Sequence, residues 1–336
     1  MKGVYPWQKT QWAKLENARR KGRFPHALLL TGTRGMGKLD FARTLARAWL
    51  CRYRDREGFA CGECDACVQF EADTHPDFMQ VSPEKAGGVI TVDKARAVGE
   101  FLTLKSHHGR GRVVLLVPAE AMNSAAANSL LKTLEEPPPG TLMILVTDGP
   151  GLLLATIRSR CQRLGFVPEW EAAGRWLKER LGKGEGDPDL LLRLAGGAPL
   201  RALQWHEEGV MSRRAQLFED FEGIAREQED PVVAAERWYE QEQVGEVLFW
   251  LDSWLMDMIR LKQTAASAGV VNADVAERLR ALAEDCEEEP LFFLLERVTK
   301  AMAQLRRSLN RQLLLEELFV VWGQVAQVRE KRSISG

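Results

Sequence analysis

Gly32-Thr33-Arg34-Gly35-Met36-Gly37-Lys38-Leu39 stands between an apolar run, Ala27–Thr31, and a segment, residues 40–49, that keeps helical spacing. A strand, a glycine-rich loop and a helix in that order are the setting of a phosphate-binding loop. In a working loop the glycines let backbone N–H groups wrap the phosphates, the lysine reaches the β and γ oxygens, and a Ser or Thr after it holds Mg²⁺. Gly32, Gly35, Gly37 and Lys38 are all present, but Leu39 fills the metal position and cannot hold a metal. The alternative, a glycine-rich turn that only looks like such a loop, leaves the flanking strand and helix unexplained.

A second apolar strand ending in carboxylates completes the magnesium site of a nucleotide hydrolase. Residues 113–117 are that strand, and Pro118-Ala119-Glu120 follow it. The first two positions carry no carboxylate. Glu120 comes one step late, and on a continuing strand a slip of one residue turns a side chain to the opposite face. Two parts of one metal site are thus missing together. The expectation is weak ATP binding or none, no productive Mg²⁺ site and no hydrolysis by the isolated chain.

The chain has 336 residues, 45% of them hydrophobic, which fits two or three domains with real cores. Its net charge is −1, so any affinity for nucleic acid has to come from local basic patches. No N-terminal apolar region resembling an export signal and no stretch of about 18 apolar residues occurs, so a cytoplasmic protein that does not enter membranes is expected.

Cys51 is followed by Cys61-x-x-Cys64-x-x-Cys67, whereas Cys161 and Cys286 stand apart. Thiolates at this spacing, in a turn rich in Gly62, Glu63 and Asp65, converge on tetrahedral Zn²⁺, and a reducing cytosol disfavours disulfides. Four thiolates leave no open coordination position, so the zinc is expected to be structural. A redox Cys-x-x-Cys pair is the rival reading, and an iron–sulfur cluster a weaker one.

Strands are expected at residues 27–31, 77–81, 113–117 and 142–147, with helices between them, giving an α/β domain with a mostly parallel sheet. Asn123 or Ser124 caps a helix whose Ala127, Leu130, Leu131 and Leu134 keep i, i+3, i+4, i+7 spacing until Pro137-Pro138-Pro139 ends it. The sheet domain closes near Phe166-Val167-Pro168. A helical segment, residues 169–205, is interrupted by a glycine-rich loop at 182–188. From about Glu207 only helical spacing occurs, as in Trp250, Leu251, Trp254 and Leu255 and in Leu314, Leu318, Val321 and Val325. The tryptophans between 205 and 254 read as core, Cys161 as interior, and residues 105–112 as a basic solvated turn.

Several strings together resemble the clamp-loader branch of the AAA+ ATPases, which serves bacterial DNA polymerase III. They are Pro25-His26-Ala27-Leu28-Leu29-Leu30, the cysteine insert, His75-Pro76-Asp77, Asn128-Ser129-Leu130-Leu131-Lys132-Thr133-Leu134-Glu135-Glu136-Pro137-Pro138, Ile157-Arg158-Ser159-Arg160-Cys161, and Asn310-Arg311-Gln312-Leu313-Leu314-Leu315-Glu316. The resemblance implies an α/β AAA+ P-loop domain at 1–166 with the zinc-binding insert at about 51–67, a small helical lid at 167–206 and an all-α collar at 207–336. It implies as partners the motor ATPase subunits and delta in a hetero-pentameric ring, and through that ring the sliding clamp and primed DNA, near the nucleoid.

In this family the arginine of Ser159-Arg160-Cys161 acts in trans, reaching the γ-phosphate of ATP held by a neighbour. Such an arginine finger is a permanent planar cation set where transition-state charge gathers. The plainer reading is a surface arginine. Thr147 matches the family's sensor threonine and Arg201 its lid arginine, both relics if no metal binds. Arg96, in a helix starting at Asp93, is a candidate DNA contact. The chain therefore reads as a non-catalytic subunit that lends Arg160 to a neighbour. The alternatives are an active motor-type ATPase, opposed by Leu39, Pro118 and Ala119, and a zinc protein that binds DNA alone, opposed by the net charge.

Overall fold

The computed structural model describes residues 3–85, 87–182, 186–241, 243–264, 269–305 and 310–327. Part of the loop expected at 182–188 and the last residues of the expected collar lie outside the described residues. Two compact units emerge, one holding the chain up to Gly182 together with Ala195–Ala202, the other holding the remainder.

The first unit is built on five strands: β1 (Ala27–Thr31), β2 (Phe78–Val81), β3 (Arg112–Leu116), β4 (Thr141–Thr147) and β5 (Gln162–Gly165). They form one parallel sheet in the order β2-β3-β4-β1-β5. Every residue of β1, β3 and β4 is buried, as expected of central strands covered on both faces. β5 was not expected from sequence. It is an edge strand whose Gln162, Arg163 and Gly165 are exposed, so Leu164 alone carries a burial signal. Helices α1 (Lys9–Arg20), α2 (Lys38–Leu50), α3 (Asp65–Glu71), α4 (Val92–Thr103), α5 (Ser124–Glu135), α6 (Ala155–Arg158) and α7 (Trp170–Leu181) complete the unit.

Local chemistry sets the element ends that matter for function. Asn123 caps α5, its side-chain oxygen accepting from the Ala126 N–H at 2.8 Å. Ala126, Ala127, Leu130 and Leu134 face the core, while Leu131 is half-buried. Cys161 is only half-buried, packed against the same core and not enclosed in it, because it follows the exposed turn that ends α6.

Helix α8 (Pro188–Leu194) belongs to the second unit, and α9 (Pro199–Glu207) begins in the first and ends in the second. The rest of the second unit consists of α10 (Val210–Ala225), α11 (Pro231–Glu240), α12 (Val244–Gln263), α13 (Ala276–Asp285), α14 (Glu288–Gln304) and α15 (Arg311–Ala326). Trp205, Trp238, Trp250 and Trp254 are core residues, as expected. Trp322 stacks on Phe221 at 4.1 Å between ring centres and donates its indole N–H to the Phe221 carbonyl at 2.7 Å. The buried stripe of α15 is Leu315, Leu318, Phe319, Trp322 and Val325, with Leu314 and Val321 at its margin. Among the described residues no helix is long and apolar enough to cross a membrane.

Candidate functional site

The glycine-rich loop leaves the C-terminal end of β1, the central strand, and delivers the chain to α2. Gly35 has φ +88°, and a Cβ there would stand 2.5 Å from the Arg201 Cβ, so both backbone and space require glycine. The first turn of α9 lies on the loop, the Leu200 N–H donating to the Gly35 carbonyl at 3.1 Å. Arg201 is half-buried there; burial, with the charge of Arg34 adding, pulls its guanidinium down to about 10. From the other side Trp7 and Gln8 donate to the Met36 carbonyl at 3.0 and 2.8 Å. The loop is clamped from both ends of the unit's sequence.

Lys38 is only 4% exposed. Its ammonium donates to the carbonyls of Gly32 at 2.6 Å and Thr33 at 2.8 Å, and pairs with Asp148 Oδ1 at 2.6 Å. An ammonium has three protons, so these three partners use all of them. Leu39 occupies the metal position, half exposed to solvent, and Asp40 beside it accepts from the Tyr5 hydroxyl at 3.1 Å. Burial, then Asp40, push that phenol up to about 12. Thr147 is fully buried and its hydroxyl accepts from the Gly149 N–H at 3.1 Å.

Glu120 departs from the strand argument. β3 ends at Leu116, and Ala119–Ala121 is a short 3-10 turn, so strand alternation no longer governs its direction. Its Oε1 accepts from the Asp148 N–H at 3.2 Å, and its Oε2 is buried with no hydrogen-bond partner. The side chain thus turns toward the end of β4 and the partner of Lys38, and not away from the loop. Pro118 and Ala119 leave the two expected carboxylate positions apolar.

The four clustered cysteines meet. Cys51, Cys61, Cys64 and Cys67 bring their sulfurs within 4.8 Å of one another, with Cys51 to Cys61 at 3.5 Å, Cys51 to Cys64 at 3.9 Å and Cys61 to Cys67 at 3.9 Å. Zn–S bonds of about 2.3 Å in a tetrahedron put sulfurs about 3.8 Å apart, so the donor set fits zinc. Backbone N–H donation, from Glu63 first, brings the Cys61 thiol down to about 6, whereas burial pushes Cys67 up to about 12. The insert is pinned to α1, where Phe59 stacks on Trp12 at 4.3 Å.

Arg160 follows α6 with its side chain 33% exposed. It donates from Nε to Glu135 Oε1 at 2.8 Å, from Nη2 to the same oxygen, and from Nη1 to the Thr156 carbonyl at 3.0 Å. Ser159 points back into its own turn, donating to the Thr156 carbonyl at 3.2 Å. Burial alone lifts the Cys161 thiol to about 11. Arg96 is 67% exposed, with Asp93 at 3.5 Å in its own first turn.

The 105–112 turn is not merely solvated. Asp77, fully buried, accepts from the N–H groups of His107 at 2.8 Å and His108 at 2.9 Å and from the Ser106 hydroxyl at 3.0 Å. Its partners lie thirty residues on, so nothing local in the sequence marks the role.

Residues 7–169 match the family described as DNA polymerase III, delta subunit, and residues 208–324 match its C-terminal family. The chain is 36% identical over 328 residues to DNA polymerase III subunit delta' of Pseudomonas aeruginosa, covering 96% of this chain and 98% of that protein. It is 34% identical to the protein of the same name from Escherichia coli K12, covering 94% of each. A solved gamma-subunit-related protein of Thermotoga maritima aligns with 93% of this chain and 99% of its own, at 17% identity and a TM-score of 0.43.

Proposed function

Because the chain belongs to the DNA polymerase III delta-prime family, we propose that it is a subunit of the clamp loader that helps place the sliding clamp on primed DNA. It acts without hydrolysing ATP itself and supplies Arg160 to the nucleotide of a neighbouring motor subunit. The observation that carries this reading is the contrast between two cations. Lys38 is buried with every proton taken, beside a leucine where a metal ligand belongs, while Arg160 remains partly exposed.

Three domains serve this role: residues 1–166 as the AAA+ P-loop domain, 167–206 as a lid and 207–336 as a collar that joins motor subunits and delta in a five-membered ring. Zn²⁺ held by Cys51, Cys61, Cys64 and Cys67 braces the insert and takes no part in chemistry. Gly32, Gly35, Gly37, Thr147 and Arg201 remain as an inherited nucleotide pocket. Arg96 is the candidate contact to DNA. The subunit works in the cytoplasm, at the nucleoid.

Co-purification with motor subunits, followed by DNA-stimulated ATP hydrolysis with and without Arg160→Ala, tests the reading. Loss of stimulation in an intact ring supports the trans role, and unchanged turnover removes it. Turnover by the isolated chain that disappears with Lys38→Ala would favour the motor-type alternative.

A further inference from the structure

We propose that Glu135 is a positioning residue for Arg160, holding its guanidinium in the orientation that meets a neighbour's nucleotide; the inference rests on the trans role given to Arg160 above. The string from Leu130 to Pro138 has no task in that role beyond its core face. Its polar end is where the structure assigns one. Glu135 is the last residue of α5, and Pro137, which cannot donate a helical hydrogen bond, keeps the helix from running further.

A helix C-terminus carries partial negative charge, so the carboxylates of Glu135 and Glu136 gain nothing from their own helix and favour an external cation. Arg160 supplies it. Two donors from one side of the guanidinium, Nε at 2.8 Å and Nη2, converge on Glu135 Oε1, and Nη1 is tied to the Thr156 carbonyl at 3.0 Å. A guanidinium has five N–H protons in a fixed plane; these three contacts and a longer one from Nη1 to the Ser159 hydroxyl at 3.4 Å fix the plane and leave one Nη2 proton for an anion. Without the carboxylate an exposed arginine spreads over many rotamers. A finger displaced by about 1 Å loses much of its effect on rate.

The test uses the reconstituted clamp loader, its motor subunits, primed DNA and ATP, with Arg160→Ala as the reference for loss of the finger. Glu135→Ala is expected to give at least half of the Arg160→Ala loss in DNA-stimulated kcat, with KM for ATP unchanged. Glu135→Gln, which keeps the size but not the charge, falls between it and the native ring. Glu136→Ala stays at the native rate. Adding Glu135→Ala to Arg160→Ala is expected to lower kcat no further, because the carboxylate acts only through the arginine. Native kcat in Glu135→Gln or Glu135→Ala, with Arg160→Ala impaired, overturns the positioning role and spares the finger. If Glu135→Ala does not assemble, the Gln variant decides by the same criterion. Native kcat in Arg160→Ala removes the finger itself, and further loss in the double variant marks Glu135 as merely structural.

Discussion

Lys38 and Asp148 form a 2.6 Å ion pair at the mouth of the glycine-rich loop, so the cation that would greet a phosphate already holds a carboxylate. The pair joins the first residue of α2 to the residue after β4. Its electrostatic effect is to fill the seat with an internal anion. An entering nucleotide has to displace Asp148 before it gains the lysine.

Asp148→Asn should therefore tighten nucleotide binding to the isolated chain. Removing one competing charge from a nearly buried ammonium is worth on the order of 1.4 kcal/mol, about a tenfold gain in affinity. Calorimetric titration with ATP in EDTA and in Mg²⁺ measures it. The gain should be the same in both, since the side chain at position 39 cannot bind metal, and Lys38→Ala should abolish it. Unchanged affinity in Asp148→Asn would show that the pair does not guard the seat.

Zinc should be recovered at about one ion per chain, bound by a site with no open position. Cys64→Ser should reduce that content sharply and lower the melting temperature by several degrees, because the three remaining sulfurs then lack the ion that draws them together. Metal analysis alongside a melting curve is sufficient. A full-length protein that melts identically with and without chelator would count against a bracing role.

The sequence disclosed most where one side chain carries the whole meaning. That leucine and no Ser or Thr follows Lys38 is read directly from the sequence, and the unbroken apolar runs of β1, β3 and β4 announce strands covered on both faces. β5 stayed hidden because an edge strand buries little, here Leu164 alone. Glu120 was misread since alternation was extended past the point where the strand had ended. The pairings of Lys38 with Asp148 and of Arg160 with Glu135 span 110 and 25 residues, and no local pattern encodes such meetings.

Acid should destabilise the first unit through His75. The ring is 4% exposed, its Nδ1 accepts from the Asp77 N–H at 3.0 Å, and Nε2 has no partner. Burial, then the neighbouring His108, hold its pKa below the ordinary value. A group depressed in the folded state contributes full stability above its unfolded pKa of about 6.5 and loses it as pH falls toward the folded value, at up to about 1.4 kcal/mol per pH unit. Denaturant titrations from pH 7.5 to 5 should show this slope, and His75→Asn, which offers an acceptor without a proton site, should flatten it.

In the second unit Arg214 lies between aromatic faces, 5.1 Å from the Trp250 ring centre and 5.9 Å from that of Trp254, with Asp274 at 2.6 Å and Asn272 at 2.9 Å. Truncating one member of a buried, paired set strands the others, at about 3 to 5 kcal/mol. Arg214→Ala should lose stability of that order, while Arg214→Met should lose less because it refills the slot between the tryptophans. Urea unfolding followed by tryptophan fluorescence reads both. Equal losses would assign the whole effect to the ion pair and none to the aromatic sandwich.

Restoring the missing hydroxyl should not restore hydrolysis. Leu39→Thr returns one metal ligand to α2, but Mg²⁺ demands near-octahedral oxygen ligation, and the attacking water needs a carboxylate to orient it. Pro118 and Ala119 offer neither, and Asp148 is committed to Lys38. The Leu39→Thr chain should therefore show no ATP turnover above the native background in a phosphate-release assay with Mg²⁺. Adding Pro118→Asp and Asp148→Asn supplies a carboxylate just beyond β3, where Pro118 is half-buried and Ala119 belongs to the apolar core, and frees the lysine, so the triple variant is where turnover should first appear. Hydrolysis in Leu39→Thr alone would mean that Glu120, whose second oxygen is buried without a partner, already serves as the carboxylate the site was thought to lack.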